Sequence, residues 1–256
     1  MRIYKNVKLQ INIIILVLFL FLPKIALANS LPDFDHDGVP DRDEIEIYKT
    51  DYKSADTDSD GYSDWVELNA GFSPLNPGKI KLEDSDYDHD GLSDRMELNF
   101  GTDLSLVDSD GDGFSDGEEI DSGYDPLNAD IGKKLEKRIE INTGAQELSY
   151  FLGGVRMGKF IVSSGKPSMP TPRGHFKVKN KSPKAWSAAY GLWMPYWIGL
   201  GTGSFGIHEL PVWPSGYREG EDHLGTPVSH GCIRLGIGPA EVLYNWAEAG
   251  IGVFIY

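Results

Sequence analysis

The fold and chemistry of the C-terminal half are predicted from one stretch of sequence, Ser229-His230-Gly231-Cys232-Ile233-Arg234-Leu235. Cys232 is the only cysteine among 256 residues, so no disulfide can form within the chain. An intermolecular disulfide, an inert buried thiol and a reactive thiol remain open. Because His230 and Arg234 lie close in sequence, and such groups lower the pKa of a thiol, we favour a reactive nucleophile at Cys232.

The N-terminus predicts export. Residues 1–10 are cationic and lack acids, residues 11–23 are almost wholly apolar, and Ala26-Leu27-Ala28 is a small-x-small cleavage site. This order is typical of a secretory signal peptide, with an uncleaved membrane anchor as the alternative. We therefore expect residues 1–28 to be removed, and the mature chain to act in the periplasm or cell wall without stable membrane insertion.

Charge divides the mature chain into two parts. Residues 29–130 contain 30 acidic and 6 basic side chains, whereas residues 131–256 contain 9 and 14. The chain has no basic run with interleaved aromatic residues, so nucleic acid is not an expected partner. An acidic segment of this density repels itself when compact, which predicts either disorder or neutralisation by cations.

The acidic residues follow a frame of twelve positions that occurs four times. Asp occupies positions 1, 3, 5 and 9, Gly position 6 and Glu position 12, which is the ligand pattern of a calcium loop. The predicted ligands are Asp33, Asp35, Asp37, Asp41 and Glu44; Asp56, Asp58, Asp60, Asp64 and Glu67; Asp86, Asp88, Asp90, Asp94 and Glu97; and Asp108, Asp110, Asp112, Asp116 and Glu119.

The linkers between these loops are too short and too rich in Gly and Pro for the paired helices of an EF-hand. Residues 29–130 resemble bacterial thrombospondin type 3 repeats instead, which implies structural calcium and little regular structure. An acidic, solvated spacer that binds no metal is the alternative. Whether the repeats also bind a partner is left open.

The sequence from Lys137 onwards predicts a mainly β domain. Alternation of apolar and polar residues indicates strands at 138–142, 146–151, 159–163 and 175–179, with a closing strand at 251–256. Helical spacing occurs at 239–249, where Ala240, Val242, Leu243, Trp246 and Ala247 would form one buried face. We expect a mixed β-sandwich with one appreciable helix.

These elements occur in a recognisable order. Thr171-Pro172-Arg173-Gly174 precedes Gly206-Ile207-His208, and Ser229–Leu235, a helix and a strand follow. Residues 137–256 resemble the L,D-transpeptidase (YkuD-like) catalytic domain of bacterial cell-wall enzymes. The resemblance implies that Cys232 attacks a peptidoglycan tetrapeptide stem and forms a thioester with release of D-alanine. His208 would be the general base, with a buried core histidine as the alternative.

The resemblance also assigns supporting roles, and no catalytic cofactor. His230 would lend polarity, Gly231 and Cys232 would supply oxyanion donors, Ser229 would orient a neighbour, and Arg234 would either hold a substrate carboxylate or be structural. Transfer of the acyl group to an amine would make the protein a cross-linking transpeptidase. Transfer to water would make it a carboxypeptidase, and a non-catalytic calcium-dependent wall-binding protein is the third possibility.

Overall fold

The structure is a computed structural model that describes residues 31–201 and 205–256. The predicted signal peptide at 1–28 lies outside the described residues, which begin at Leu31. Within the two described segments, no helix has the length and apolar character needed to cross a membrane.

The acidic repeats form loops that each lead into a short helix. Helix α1, Asp41–Asp43, continues as a π-helical turn at Glu44–Tyr48, and the later helices are α2 (Asp64–Ala70), α3 (Asp94–Phe100) and α4 (Asp116–Ser122). The last three each end at a left-handed glycine, which has no Cβ to oppose that conformation. The expectation of little regular structure is thus corrected, because the end of each loop frame is also the first turn of a helix.

Carboxylates at loop position 5 join neighbouring repeats. Asp37 Oδ2 accepts a hydrogen bond of 2.8 Å from the backbone N–H of Trp65, on helix α2. Asp90 Oδ2 accepts an equivalent bond of 2.6 Å from Gly117, on helix α4. The first and second repeats, and the third and fourth, are therefore paired through the loops that would hold metal.

The C-terminal domain is a closed barrel with strand order β1-β2-β3-β7-β6-β5-β4-β8. Its strands are β1 Lys137–Asn142, β2 Glu147–Leu152, β3 Val155–Ser163, β4 Gly174–Ser187, β5 Leu192–Leu200, β6 Gly206–Glu209, β7 Ile233–Leu235 and β8 Gly252–Ile255. The prediction of a β-sandwich is wrong. Strand β8 pairs with both β1 and β4 and so closes the sheet on itself, a long-range pairing that alternation within one strand does not encode.

Inward-facing aliphatic residues fill the barrel. Ile139, Leu148, Ile198, Ile207 and Ile233 are each fully buried. Helix α5, Pro239–Trp246, covers this core through its buried Ala240 and Leu243. It is shorter than predicted, and its Val242 is 48% exposed, so Val242 is excluded from the buried face that helical spacing had assigned to it.

A second apolar cluster joins the repeats to the barrel. Leu92 and Ile120 from the third and fourth repeats are buried with Leu152 of β2. Partly buried side chains of Met96, Phe100, Leu135 and Met157 pack around them. The repeats and the barrel, predicted to be separate on either side of residues 130–137, therefore pack against each other. The end of the β2–β3 hairpin supplies the apolar surface on the barrel side.

Candidate active site

Two short parallel strands place the predicted nucleophile and base on one face. In the β6–β7 register, Ile207 lies opposite Ile233 and His208 lies opposite Arg234. Side chains alternate along a strand, so the two isoleucines face the core while His208 and Arg234 face outwards. Cys232 immediately precedes β7 and shares the face of Arg234, diagonal to His208. Cys232, His208 and Arg234 all line a cavity of about 430 Å³.

His208 is buried and held in one tautomer. Its Nδ1 lies 2.5 Å from the backbone carbonyl oxygen of Glu209, which can only accept, so Nδ1 carries the proton and Nε2 keeps its lone pair. Trp197 stacks beside the ring with centroids 6.0 Å apart. Burial lowers the pKa of His208 to about 4, so the ring is neutral at pH 7.

The electrostatics of Cys232 differ from the sequence prediction. Burial raises the pKa of its thiol, and this effect exceeds the opposing influence of the Gly206 backbone N–H and of Arg234. A lowered pKa had been expected because His230 and Arg234 are close in sequence. That expectation is wrong for the free protein. With its pKa raised, Cys232 is a thiol at pH 7, and the neutral imidazole of His208 adds no positive charge.

Ser229 braces the loop that carries Cys232. Its hydroxyl donates to the Cys232 carbonyl oxygen at 2.5 Å and accepts from the Gly231 N–H at 3.1 Å. The Gly231 N–H is therefore already engaged, which argues against its predicted role as an oxyanion donor in this conformation. Gly231 has a φ of +113°, a conformation that only glycine adopts without strain.

Thr171 supports the same loop from the other side. Its hydroxyl donates to the Gly231 carbonyl oxygen at 3.0 Å and accepts from the Gly165 N–H at 2.8 Å. Thr171 belongs to the Thr-Pro-x-Gly pattern, for which the sequence predicted no individual role. A threonine directly before Pro172 was the only hint in the sequence of this role. Its hydrogen-bond partner, Gly231, lies 60 residues away and could not be predicted from it.

Arg234 is engaged by an acidic residue that sequence analysis did not single out. Its Nη1 lies 2.5 Å from Glu219 Oε2, and the two side chains are only 8% and 13% exposed. The neighbouring Arg218 pairs with Glu209, which is buried at the end of β6. Two ion pairs thus fasten the loop containing residues 218 and 219 to β6 and β7. They favour the structural role for Arg234 over direct binding of a substrate carboxylate.

His230 is exposed on the other side of the cavity. Its ring stacks on Tyr190 at 4.6 Å, and its Nε2 lies 3.2 Å from Lys166 Nζ. Burial and the charge of Lys166 lower the pKa of His230. Tyr190, Leu192 and Met194 line the cavity with it, so the aromatic segment at 186–197 forms a cleft wall across the end of β4 and the start of β5.

The repeats bring their acidic side chains together as predicted at positions 1, 3 and 5. In each of the four loops these three aspartates can place oxygens within 4.8 Å of one another. Buried carboxylate oxygens that accept no hydrogen bond occur at positions 3 and 12 of every loop. They belong to Asp35, Asp58, Asp88 and Asp110 and to Glu44, Glu67, Glu97 and Glu119. Such unpartnered anionic oxygens fit a hard cation.

Position 9 behaves differently. Asp64 accepts from the backbone N–H and the hydroxyl of Thr57, and Asp116 accepts from the same two groups of Ser109. Asp94 accepts from the N–H of Tyr87 and from the Ser73 hydroxyl, and Asp41 from the N–H of Phe34. The four aspartates predicted as ligands at position 9 therefore hold their loops together through hydrogen bonds, as aspartates at positions 1 and 5 also do, whereas the buried oxygens without a donor recur at positions 3 and 12.

Carboxylate crowding leaves a large electrostatic cost without a cation. Burial, followed by repulsion from neighbouring aspartates, raises the pKa of Glu97 to about 9 and that of Glu67 to about 8. The same causes raise the pKa values of Glu44 and Glu119 to about 7. A bound cation of charge two would favour the ionised form of all four groups.

The closed barrel thus places a cysteine and an oriented histidine on one face of a cleft. Residues 136–255 match the family model of the L,D-transpeptidase catalytic domain, and residues 56–77, 86–103 and 108–129 match the bacterial TSP3 repeat. The C-terminal domain belongs to the L,D-transpeptidase catalytic domain family, and bacterial TSP3 repeats precede it. None of the curated proteins compared with the chain matches it.

Several solved structures are similar to part of the chain. An L,D-transpeptidase from Mycobacterium smegmatis is 23% identical with a TM-score of 0.42, covering 48% of this chain and 60% of its own. One from Mycobacterium tuberculosis H37Rv is 23% identical with a TM-score of 0.43, covering 52% and 63%. One from Stackebrandtia nassauensis is 24% identical with a TM-score of 0.40, covering 47% and 55%. The chain thus spans less than two thirds of each relative.

Proposed function

We propose that this protein is an exported peptidoglycan L,D-transpeptidase. The observation that carries the proposal is the diagonal placement of Cys232 and His208 on one face of β6 and β7, at a shared cleft. The substrate would be a tetrapeptide stem, and the product a stem joined to the amine of a second stem. The family match supports the reaction class.

The first half of the reaction makes a thioester. Because the resting group is a thiol and His208 is neutral, transfer of the Cys232 proton to His208 Nε2 accompanies attack on the amide carbonyl. The sulfur–carbon bond forms, and the amide carbon–nitrogen bond breaks. His208 then returns the proton to the leaving amine of D-alanine, so charge and protons balance.

The second half regenerates the thiol. The acceptor amine attacks the thioester carbonyl and gives a proton to His208, and the sulfur leaves as the new amide forms. His208 then reprotonates Cys232. Nδ1 keeps its proton throughout and donates it in the hydrogen bond to the Glu209 carbonyl oxygen, so Nε2 is the site of both transfers.

We also propose that each of the four acidic loops binds one calcium ion. The ligands would be the aspartates at positions 1, 3 and 5 and the glutamate at position 12, with position 9 as a brace. The buried oxygens without donors at positions 3 and 12 support this assignment. Calcium would neutralise the acidic segment and allow the paired loops to stiffen it.

The test is incubation of the mature full-length protein with a synthetic tetrapeptide stem, followed by mass spectrometry of protein and products. We expect an acyl adduct on Cys232, released D-alanine and a cross-linked dimer. Cys232→Ala should give none of these. Release of free tripeptide acid without dimer would replace the transpeptidase by a carboxypeptidase, and normal turnover by Cys232→Ala would refute the mechanism.

A further inference from the structure

Beside the cleft, in contact with its lining residue His230, lies a cationic side chain whose charge no acid of the described residues balances. Glu219 neutralises Arg234 at 2.5 Å, and Arg218 is paired with Glu209. His208 is neutral, and Cys232 is a thiol. That leaves Lys166, which forms no ion pair with any carboxylate of residues 31–201 or 205–256, unlike Lys159, which pairs with Glu147 at 2.8 Å.

The backbone holds Lys166 next to the catalytic loop. The Lys166 N–H donates to the Ser229 carbonyl oxygen at 2.9 Å, and Gly165 forms a parallel bridge with Ser229. Residue 165 must be glycine, because a Cβ there would lie 2.3 Å from the Met169 carbonyl oxygen. The backbone position of Lys166 is therefore fixed by its close contact with Ser229, three residues before Cys232.

The ammonium group faces the cleft wall. Lys166 Nζ lies 3.2 Å from His230 Nε2, and His230 lines the cavity together with Cys232. An ammonium can only donate, so Nε2 accepts and the ring proton of His230 resides on Nδ1. The ring of Tyr190 stacks on that of His230, with centroids 4.6 Å apart.

We propose that Lys166, supported by His230, forms a subsite for a carboxylate of the stem peptide. The identity of the ligand rests on the proposed function. The unpaired charge of Lys166, from which the subsite is inferred, is independent of that function. A carboxylate gains a charge-assisted hydrogen bond from a lysine that has no other acidic partner. Lys166 is thus a specificity-determining residue, with the carboxylate-binding role that the resemblance implied as one alternative for Arg234.

A chemical probe tests the subsite without any peptide substrate. Iodoacetate and iodoacetamide both alkylate Cys232, but only iodoacetate carries a carboxylate. We expect Lys166→Met to lower the ratio of the two rates about three- to tenfold, as for loss of one nearby unit charge. Lys166→Arg should retain the ratio. Lys159→Met, which removes an equal charge from an outward-facing position on β3, should leave it unchanged. Equal ratios in Lys166→Met and wild type would overturn the proposal.

The stem peptide then identifies the carboxylate. Lys166→Met should raise KM for the acidic tetrapeptide at least several-fold more than kcat falls. The difference in KM between variant and wild type should disappear for one of two modified stems, amidated either at the C-terminus or at the internal carboxylate. The amide that removes the difference identifies the carboxylate that Lys166 binds. If neither amide removes the difference, Lys166 binds no substrate carboxylate. If wild type turns over no stem peptide, the proposed function fails, whereas the alkylation ratio still decides the subsite.

Discussion

The hydroxyl of Ser229 bonds both sides of the turn that presents the nucleophile, donating to the Cys232 carbonyl and accepting from the Gly231 N–H. Ser229 is itself fully buried and is tied by its backbone to Ser164 and Lys166. The position of the thiol thus depends on a serine with no side-chain access to solvent.

Ser229→Ala should lower both stability and thiol reactivity. The change leaves a buried N–H and a buried carbonyl without their partner, which typically costs about 1–3 kcal/mol. Thermal unfolding and the rate of Cys232 acylation by a stem peptide measure the two effects. Ser168→Ala, at an exposed position in the preceding segment, is the matched control and should behave as wild type. A variant with normal stability and acylation would show that the two bonds are dispensable.

His208→Ala should slow acylation about 10²–10⁴-fold because the thiol loses its proton acceptor. Stopped-flow mass measurement of the adduct gives the rate, and circular dichroism checks that the barrel persists. His175→Ala removes an exposed imidazole from β4 and should not change the rate. If His208→Ala acylated at the wild-type rate, His208 would be a core histidine, the alternative raised from the sequence.

The pH dependence should separate base catalysis from thiolate chemistry. His208 is the acceptor only when neutral, so acylation should fall as the pH drops towards its pKa of about 4. Alkylation by iodoacetamide needs a thiolate, so its rate should reach half its maximum only above the ordinary pKa of cysteine, since burial raises the pKa of Cys232. Acylation and alkylation measured across pH 4–10 give both profiles. Alkylation that has already reached its maximum rate below pH 7 would instead indicate a preformed thiolate.

The same histidine makes the barrel acid-sensitive. Its folded pKa of about 4 lies below its ordinary value of 6.5, so the unfolded chain binds more protons between these values. Stability should therefore be complete above pH 6.5 and decline as the pH falls towards 4. Thermal unfolding of the wild type and of His208→Gln across this window measures the contribution. We expect a smaller decline in the variant, and identical declines would assign the acid sensitivity elsewhere.

The metal-free repeats should respond to pH in the opposite direction. Glu44, Glu67, Glu97 and Glu119 have folded pKa values of about 7 to 9 against an ordinary 4.5, so the folded state binds more protons. In EDTA, repeat structure should be greatest below pH 4.5 and be lost as the pH rises to 9. Millimolar Ca²⁺ should restore it at pH 7 and above, where the carboxylates are ionised. Scattering and circular dichroism of the full-length protein that did not change with EDTA would refute the calcium assignment.

Gly117→Ala should weaken the pairing of the third and fourth repeats. An alanine in a helix normally stabilises it relative to glycine, but here the Cβ would lie 2.6 Å from the Asp90 carbonyl oxygen. We expect a loss of about 1–3 kcal/mol from overpacking. Calcium titration followed by tryptophan fluorescence and thermal unfolding would report it. Ser122→Ala, exposed on the same helix, is the control, and a stabilised Gly117→Ala would show that the two repeats do not pack as described.

The sequence by itself determined the elements whose signals are local. The twelve-residue acidic frame and the strands before residue 180 each depend on residues close together in the chain, and Cys232 and His208 were linked by the order of the family's motifs. The clustering of the aspartates at positions 1, 3 and 5 was predictable for the same reason. The hydrogen bonds at position 9 were not, because they depend on hydroxyl and N–H groups placed by the folded loop.

Tertiary structure alone decided the closure of the barrel, the capture of Arg234 by Glu219 and the approach of Lys166 to His230. Each brings together segments that are far apart in the chain, and no pattern in the sequence indicates which segments will meet. Lys166 and His230, for example, are 64 residues apart. It also decided the sign of the pKa shift at Cys232. Neighbours in sequence suggested a lowered value, but desolvation depends on every group packed around the thiol, and that sum exists only in the folded protein.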